Sequence, residues 1–211
     1  MHIAIIGSGS VGGALGRAFA GLGHTITFGV RDPDRADVRA LADATGASLA
    51  APAGAVRDAA LVVLSVPGAA AVEIARGLGD LSGKVLLDTT NPVGPSLLPT
   101  PDAEGRSLAE RIAAAAPGAR VVKGFHTLAA QHMGDGRFGG QRTALFLSGD
   151  DADAKATVAD LAERLGFEAV DTGGLDRARL TEPLALLWIT LAARQGWGRG
   201  FAFALARDEA G

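Results

Sequence analysis

The first dozen residues constrain this chain more than any other stretch. Ile3, Ala4, Ile5 and Ile6 form an apolar run without alternation that leads directly into Gly7-Ser8-Gly9-Ser10-Val11-Gly12. A short apolar run stopped by glycine reads as a strand buried on both faces. Followed by the helix-like residues 14–20, it has the G-x-G-x-x-G spacing of a dinucleotide-binding βαβ unit. Gly7 allows the tight turn out of the strand, Gly9 lets the backbone approach a pyrophosphate, and Gly12 lets the helix pack closely on the sheet. Ser8, Ser10 and Val11 complete a loop whose free N–H groups and helix dipole favour an anion. The alternative is a purely structural strand–helix turn, with the spacing arising by chance in a chain of 30 glycines.

The same grammar repeats downstream. Residues 25–30 alternate and are β-branched enough for a second strand. A helix through residues 39–42 ends near Gly46, and a short third strand is expected around residues 47–49. Residues 60–67 are a near-continuous apolar run ending at Pro67-Gly68, and residues 84–88 form another strand that ends in Thr89-Thr90-Asn91-Pro92. Ligands of open α/β sheets bind beyond the carboxyl ends of strands, so Ser65, Val66, Pro67, Asn91 and Pro92 are expected to face the reacting end of a bound dinucleotide. Residues 95–106 carry several prolines and are expected to be a mobile loop or a lid. A helix over residues 107–116, a strand over 120–125, a glycine-rich loop over 133–142, a strand over 143–148, a helix over 151–165 and a strand over 168–171 follow.

Cofactor choice is made after the second strand, at Arg31-Asp32-Pro33-Asp34-Arg35. An acidic residue there binds a ribose 2′-hydroxyl, whereas arginine accommodates a 2′-phosphate. Asp32 before Pro33 reads as a helix N-cap with proline at the first helical position. That leaves Arg31 at the strand tip and Arg35 one turn on, able to clamp a phosphate through their guanidinium forks. NADP(H) is the expected cofactor, the alternative being that both arginines are solvated surface charges.

Leu184, Leu187, Trp188 and Leu191 fall at helical spacing, and Trp197, Phe201 and Phe203 follow. These residues are expected to form a helical pair that closes the cleft and supplies a dimer interface, or else simply packs as core. The expected architecture is α/β: an NAD(P)-binding, Rossmann-like doubly wound sheet over residues 1–176, with a small C-terminal helical extension over 177–211. A net charge of −3 without a basic run argues against nucleic acid. The longest apolar segment, residues 183–193, is about half the ~20 residues a membrane span needs. With no cysteine, disulfides and thiol chemistry are excluded, which is compatible with a cytoplasmic protein.

The chain also lacks tyrosine, and so the tyrosine proton donor of many hydroxyl-directed reductases. His2 and His24 read as surface residues, and His132 has no second ligand at metal spacing. His126 stands at the end of the strand over 120–125, where a nicotinamide would be reached. It is either a catalytic group, polarising the acceptor as hydride arrives, or a histidine satisfying a buried neighbour. Hydride transfer needs no protein nucleophile; the protein must hold two rings together and exclude water.

Taken together, Gly7-Ser8-Gly9-Ser10-Val11-Gly12, Gly29-Val30-Arg31-Asp32-Pro33, Leu64-Ser65-Val66-Pro67, Asp88-Thr89-Thr90-Asn91-Pro92, Val122-Lys123-Gly124-Phe125-His126-Thr127 and Glu182-Pro183-Leu184-Ala185 resemble the NADPH-dependent coenzyme F420 reductase family. The resemblance spans nearly the whole chain. It implies an NADP-binding Rossmann domain and hydride transfer to a deazaflavin, coenzyme F420, or to a flavin such as FMN. Ser8, Arg31 and Arg35 resemble the family's contacts to the phosphate on the adenine ribose, and Val30 departs from a serine there. His126-Thr127 resembles the histidine–threonine pair beside the deazaflavin, where many bacterial relatives carry asparagine. Two other functions compete: an NADP(H)-dependent dehydrogenase of a small imino- or hydroxy-acid, and a non-catalytic NADP(H) sensor.

Overall fold

The computed structural model describes residues 1–99 and 102–208. Strand and helix alternate from the start: β1 (His2–Ile6), α1 (Ser10–Gly21), β2 (Thr25–Gly29), α2 (Ala36–Thr45), β3 (Ser48–Ala50), a single-turn α3 (Pro52–Ala55), β4 (Leu61–Leu64), α4 (Gly68–Arg76), β5 (Val85–Asp88), α5 (Leu108–Ala115) and β6 (Arg120–Lys123). Then come β7 (Arg137–Phe138), β8 (Gln141–Arg142), β9 (Ala144–Gly149), α6 (Ala152–Arg164), β10 (Glu168–Gly173) and α7 (Ala178–Ala193).

The main sheet has the order β10-β9-β6-β5-β4-β1-β2-β3. From β3 to β6 the strands are all parallel, in the Rossmann order, and the winding direction reverses between β1 and β4. Their apolar runs are buried on both faces. Ile3 and Ile5 join Phe19, Phe28, Phe125 and Phe167 on one side, while Ala4 and Ile6 join Ala71, Leu86 and Ile112 on the other. Each of the isoleucine, leucine and phenylalanine side chains removed from water contributes about 1.5–3 kcal/mol before entropy is counted.

β9 departs from this pattern, pairing antiparallel with β6 through Val122–Gly149 and Lys123–Ser148; β10 is parallel to β9. The link from β6 to β9 holds only a 3-10 turn and the β7–β8 hairpin. A parallel return needs a crossover of a dozen or more residues, usually a helix, and none is formed here. The hairpin itself corrects the expected loop over 133–142. Gly139 and Gly140, both at positive φ, turn it.

Two other expectations are corrected. α2 starts at Ala36 rather than Pro33, because Asp32 Oδ1 accepts the Asp34 amide at 3.1 Å and closes a turn instead of capping a helix. The C-terminal pair is a single helix, α7, followed by an irregular tail. Trp188 stacks on Phe201 at 5.0 Å and donates Nε1 to its carbonyl, and the Phe203 carbonyl accepts the Ala144 amide. Along α7, Ala178, Thr181, Glu182, Ala185, Leu186 and Trp188 face inward, while Leu180 and Leu187 are 67% and 50% exposed, so of the residues at helical spacing Trp188 is buried and Leu187 is not. α7 is apolar around most of its circumference, so spacing alone does not select a face. Among the described residues no helix is long and apolar enough to cross a membrane.

Of the expected loop over 95–106, Thr100 and Pro101 lie outside the described residues. At its start the Pro95 carbonyl accepts from Arg194, and at its end Arg106 pairs with Asp102. α5 then opens with a capping box, Ser107 and Glu110 satisfying each other's amides.

Candidate functional site

Where the sheet order reverses, a cleft of about 890 Å³ opens beyond the ends of β1, β2 and β4. Its floor is the glycine turn. Gly7 stands at φ +107°, and a Cβ there would lie 2.2 Å from the Ser65 carbonyl oxygen. At Gly12 a Cβ would lie 2.1 Å from the Gly7 oxygen, so both glycines are required by backbone contact. Gly9 is different: nothing lies within 4 Å of its missing Cβ. It faces open space at the start of α1, whose N-terminus has no side-chain cap and no acidic residue in its first turn. Free amides, a positive dipole end and room beside the backbone fit a diphosphate.

Ser8, Ser65, Val66 and Pro67 line the same cleft. Ser10 and Val11 do not. Ser10 is exposed on the first turn of α1, and Val11 packs part-buried on the core. At the end of β2, Arg31, Asp32, Arg35 and Asp37 line the cleft mouth. The sequence expectation did not include Asp37, because the misplaced start of α2 hid its position.

Asn91, Pro92 and His126 lie elsewhere. Pro92 lines a second cavity of about 150 Å³, shared with Ser107, Arg179, Glu182, Pro183 and Leu186. Asn91 Nδ2 donates to the His126 carbonyl at 2.8 Å, so these two residues are brought together. The His126 ring, however, is 4% exposed and lies outside the cleft lining. The chain leaves β6 through Phe125, a left-handed non-glycine residue at φ 53°, whose ring packs edge-on against Phe19 and Phe167. Neither imidazole nitrogen has a partner among the described residues, nor do Asn91 Oδ1 and Thr181 Oγ1. Burial, with the nearby Lys123 charge, holds the His126 pKa well below its ordinary 6.5; the backbone at Thr181 and Gly124 pulls the other way without reversing this. The ring is neutral at pH 7.

Beneath it lies a charge cluster that the sequence reading missed. Lys123 is fully buried, with Nζ 2.9 Å from Asp88 Oδ2, 2.5 Å from the Thr90 carbonyl and 3.4 Å from Glu182 Oε1. Glu182 in turn accepts the amides of Leu108 and Ala109, both at 3.0 Å, at the start of α5. One ammonium thereby ties β5, β6 and α7 together. Arg179 adds a second tie by gripping Glu110, whose carboxyl is lowered to about 2 chiefly by that bond. The available signal was Asp88 and Lys123 at matching ends of adjacent strands, two opposite charges in otherwise apolar runs.

The chain is similar to known proteins in both sequence and fold. The sequence profile of the family described as "NADP oxidoreductase coenzyme F420-dependent" matches residues 2–92. An F420-dependent NADP reductase from Methanothermobacter thermautotrophicus is 33% identical over 210 residues, covering 92% of this chain and 90% of that protein. The crystal structure of a candidate F420-dependent NADP reductase from Arthrobacter sp. FB24 superposes with a TM-score of 0.87 at 36% identity, over 97% of this chain and 99% of the other. Metalloreductase STEAP3 from Rattus norvegicus is 31% identical over 88% of this chain, which spans only 37% of its length. The chain belongs to the F420-dependent NADP reductase family of NADP-dependent oxidoreductases.

Proposed function

We propose that this protein transfers hydride between NADP(H) and a flat ring acceptor, a deazaflavin (coenzyme F420) or a flavin such as FMN. The observation that carries the reading is end-to-end similarity, over nine-tenths of both chains, to a protein named for that reaction. The cleft supports the donor half. Gly7 to Gly12 would hold the diphosphate, Ser8, Arg31 and Arg35 the 2′-phosphate, and Ser65, Val66 and Pro67 the nicotinamide end. NADPH, when bound, supplies the hydride. The chain's own work is to hold the reacting faces together and keep water out.

On the acceptor side we assign His126, held at the Asn91 junction. Its neutral ring can donate one N–H to a ring carbonyl or nitrogen and stabilise the charge that arrives with hydride. Because the ring is buried, the acceptor must reach it through a local opening beside Thr181. Asn91 and Pro92 would border that opening. The exposed Leu180 and Leu187 on α7 suit a homodimer, and the acceptor and dinucleotide would be the only other partners, in a cytoplasmic setting consistent with the absence of cysteine.

The test is to mix the purified chain with NADPH and either oxidised coenzyme F420 or FMN and follow the acceptor absorbance. Bleaching with one of them is expected. Tight NADPH binding without reduction of either would overturn the acceptor assignment.

A further inference from the structure

The four charged side chains at the cleft mouth do not act alike. Arg31, Asp32, Arg35 and Asp37 sum to no net charge. Arg31 forms no ion pair among the described residues. Arg35 donates Nε to Asp37 Oδ1 at 3.0 Å and Nη2 to Asp37 Oδ2 at 2.5 Å. This is the two-pronged geometry in which a guanidinium otherwise grips a phosphate. Asp34, by contrast, pairs with Arg39 and does not line the cleft. The Arg35–Asp37 pair is 59% and 64% exposed, so it can be exchanged for another anion, but only in competition.

We infer that Asp37 is a specificity-determining residue that restrains the preference for the 2′-phosphorylated cofactor, by occupying the fork of Arg35 and placing a negative charge where the 2′-phosphate arrives. The inference rests on NADP(H) lying in this cleft. A 2′-phosphate must displace Asp37 or be content with Arg31 and the outer edge of Arg35. An unphosphorylated dinucleotide meets neither obstacle. Asp37 therefore acts on one cofactor and not on the other.

The experiment measures NADPH and NADH binding to the whole chain by nicotinamide fluorescence, without any acceptor, for wild type, Asp37→Asn, Arg35→Ala and the double variant. Asp43→Asn, an exposed change of equal charge on α2 outside the cleft, is the control. Asp37→Asn is expected to tighten NADPH by about three- to tenfold at low salt, less at about 0.5 M salt, and to leave NADH within about twofold. Asp43→Asn should change neither, and without Arg35 the gain should shrink below about twofold. Unchanged or weaker NADPH binding in Asp37→Asn overturns the inference, as does an equal gain in Asp43→Asn. A gain that persists in full without Arg35 overturns the role of the fork. Failure of the wild-type chain to bind NADPH overturns the cleft assignment itself, and the inference with it.

Discussion

Replacing Lys123 with methionine removes the ammonium from the buried cluster while nearly keeping the length and unbranched shape of the side chain. In the native protein Nζ lies 2.9 Å from Asp88 and 3.4 Å from Glu182, and none of the three side chains is more than 5% exposed. The substitution leaves two carboxylates in the interior. Each retains other donors: Thr90 N and Oγ1 for Asp88, the Leu108 and Ala109 amides for Glu182. Breaking a buried pair costs about 3–5 kcal/mol, and with two carboxylates orphaned the upper part of that range applies. Against a total of about 5–15 kcal/mol this is a large share. At about 2–4 °C per kcal/mol for a chain of this size, the melting temperature should fall by roughly 8–20 °C. Thermal and urea unfolding followed by far-UV circular dichroism measure the loss. Adding Asp88→Asn should restore part of it, because one orphaned charge disappears while Oδ1 still accepts from Thr90 N and Oγ1. α7 contributes nothing to the lining of the dinucleotide cleft, so NADPH affinity at a temperature where the variant is folded should stay within about threefold. A loss under about 1 kcal/mol would refute the reasoning, since water or a backbone shift must then solvate the carboxylates as well as the lysine does.

Arg31→Ala should weaken NADPH by about tenfold or more, the worth of a charge-assisted contact, and NADH by far less; equal losses in a fluorescence titration would remove Arg31 from the phosphate site. Gly7→Ala forces a methyl to within 2.2 Å of the Ser65 carbonyl at a φ of +107°. It should lower the urea midpoint and abolish NADPH binding, with about 2 kcal/mol or more lost. For His126 the folded pKa lies below the unfolded 6.5, so between those values the unfolded chain binds more protons. Its contribution is therefore fully present above pH 6.5 and is lost as pH falls toward the folded value. Unfolding measured from pH 7 to pH 5 should show a steeper decline for wild type than for His126→Asn, and parallel curves would place the ring in water.

The parts of the fold legible in the sequence are those whose cause is local. Continuous apolar runs reported β1, β4 and β5 because burial on both faces leaves no polar phase. The glycines of the first turn were legible because backbone contact excludes a side chain at Gly7 and Gly12. Gly46, at φ 63°, ends α2 as its position suggested. What stayed hidden depends on partners distant in sequence. Lys123 reads as one polar residue in a strand until Asp88, 35 residues back, and Glu182 are set beside it. The inward face of α7 is selected by Glu182 reaching that lysine and the start of α5, not by leucine spacing. His126 was placed at the right strand end, but its enclosure comes from the turn at Phe125 and from α7 closing over it. Asp32 could cap or turn with equal ease, and a single aspartate–proline pair does not say which.

The reversed direction of β9 also decides where the two ends of the chain can be observed. β9 starts beyond the end of β6, at the carboxyl edge of the parallel strands, and the tail is tied there by the bond from Ala144 N to the Phe203 carbonyl. Thr25, whose amide bonds the Met1 carbonyl, lies at the opposite edge. Because the chain has no cysteine, one introduced thiol is a unique attachment point. A dye on Ala204→Cys would watch the carboxyl edge, where the proposed cofactor and acceptor would arrive, and the same dye on Thr25→Cys, in a separate single-cysteine variant, would serve as the silent reference.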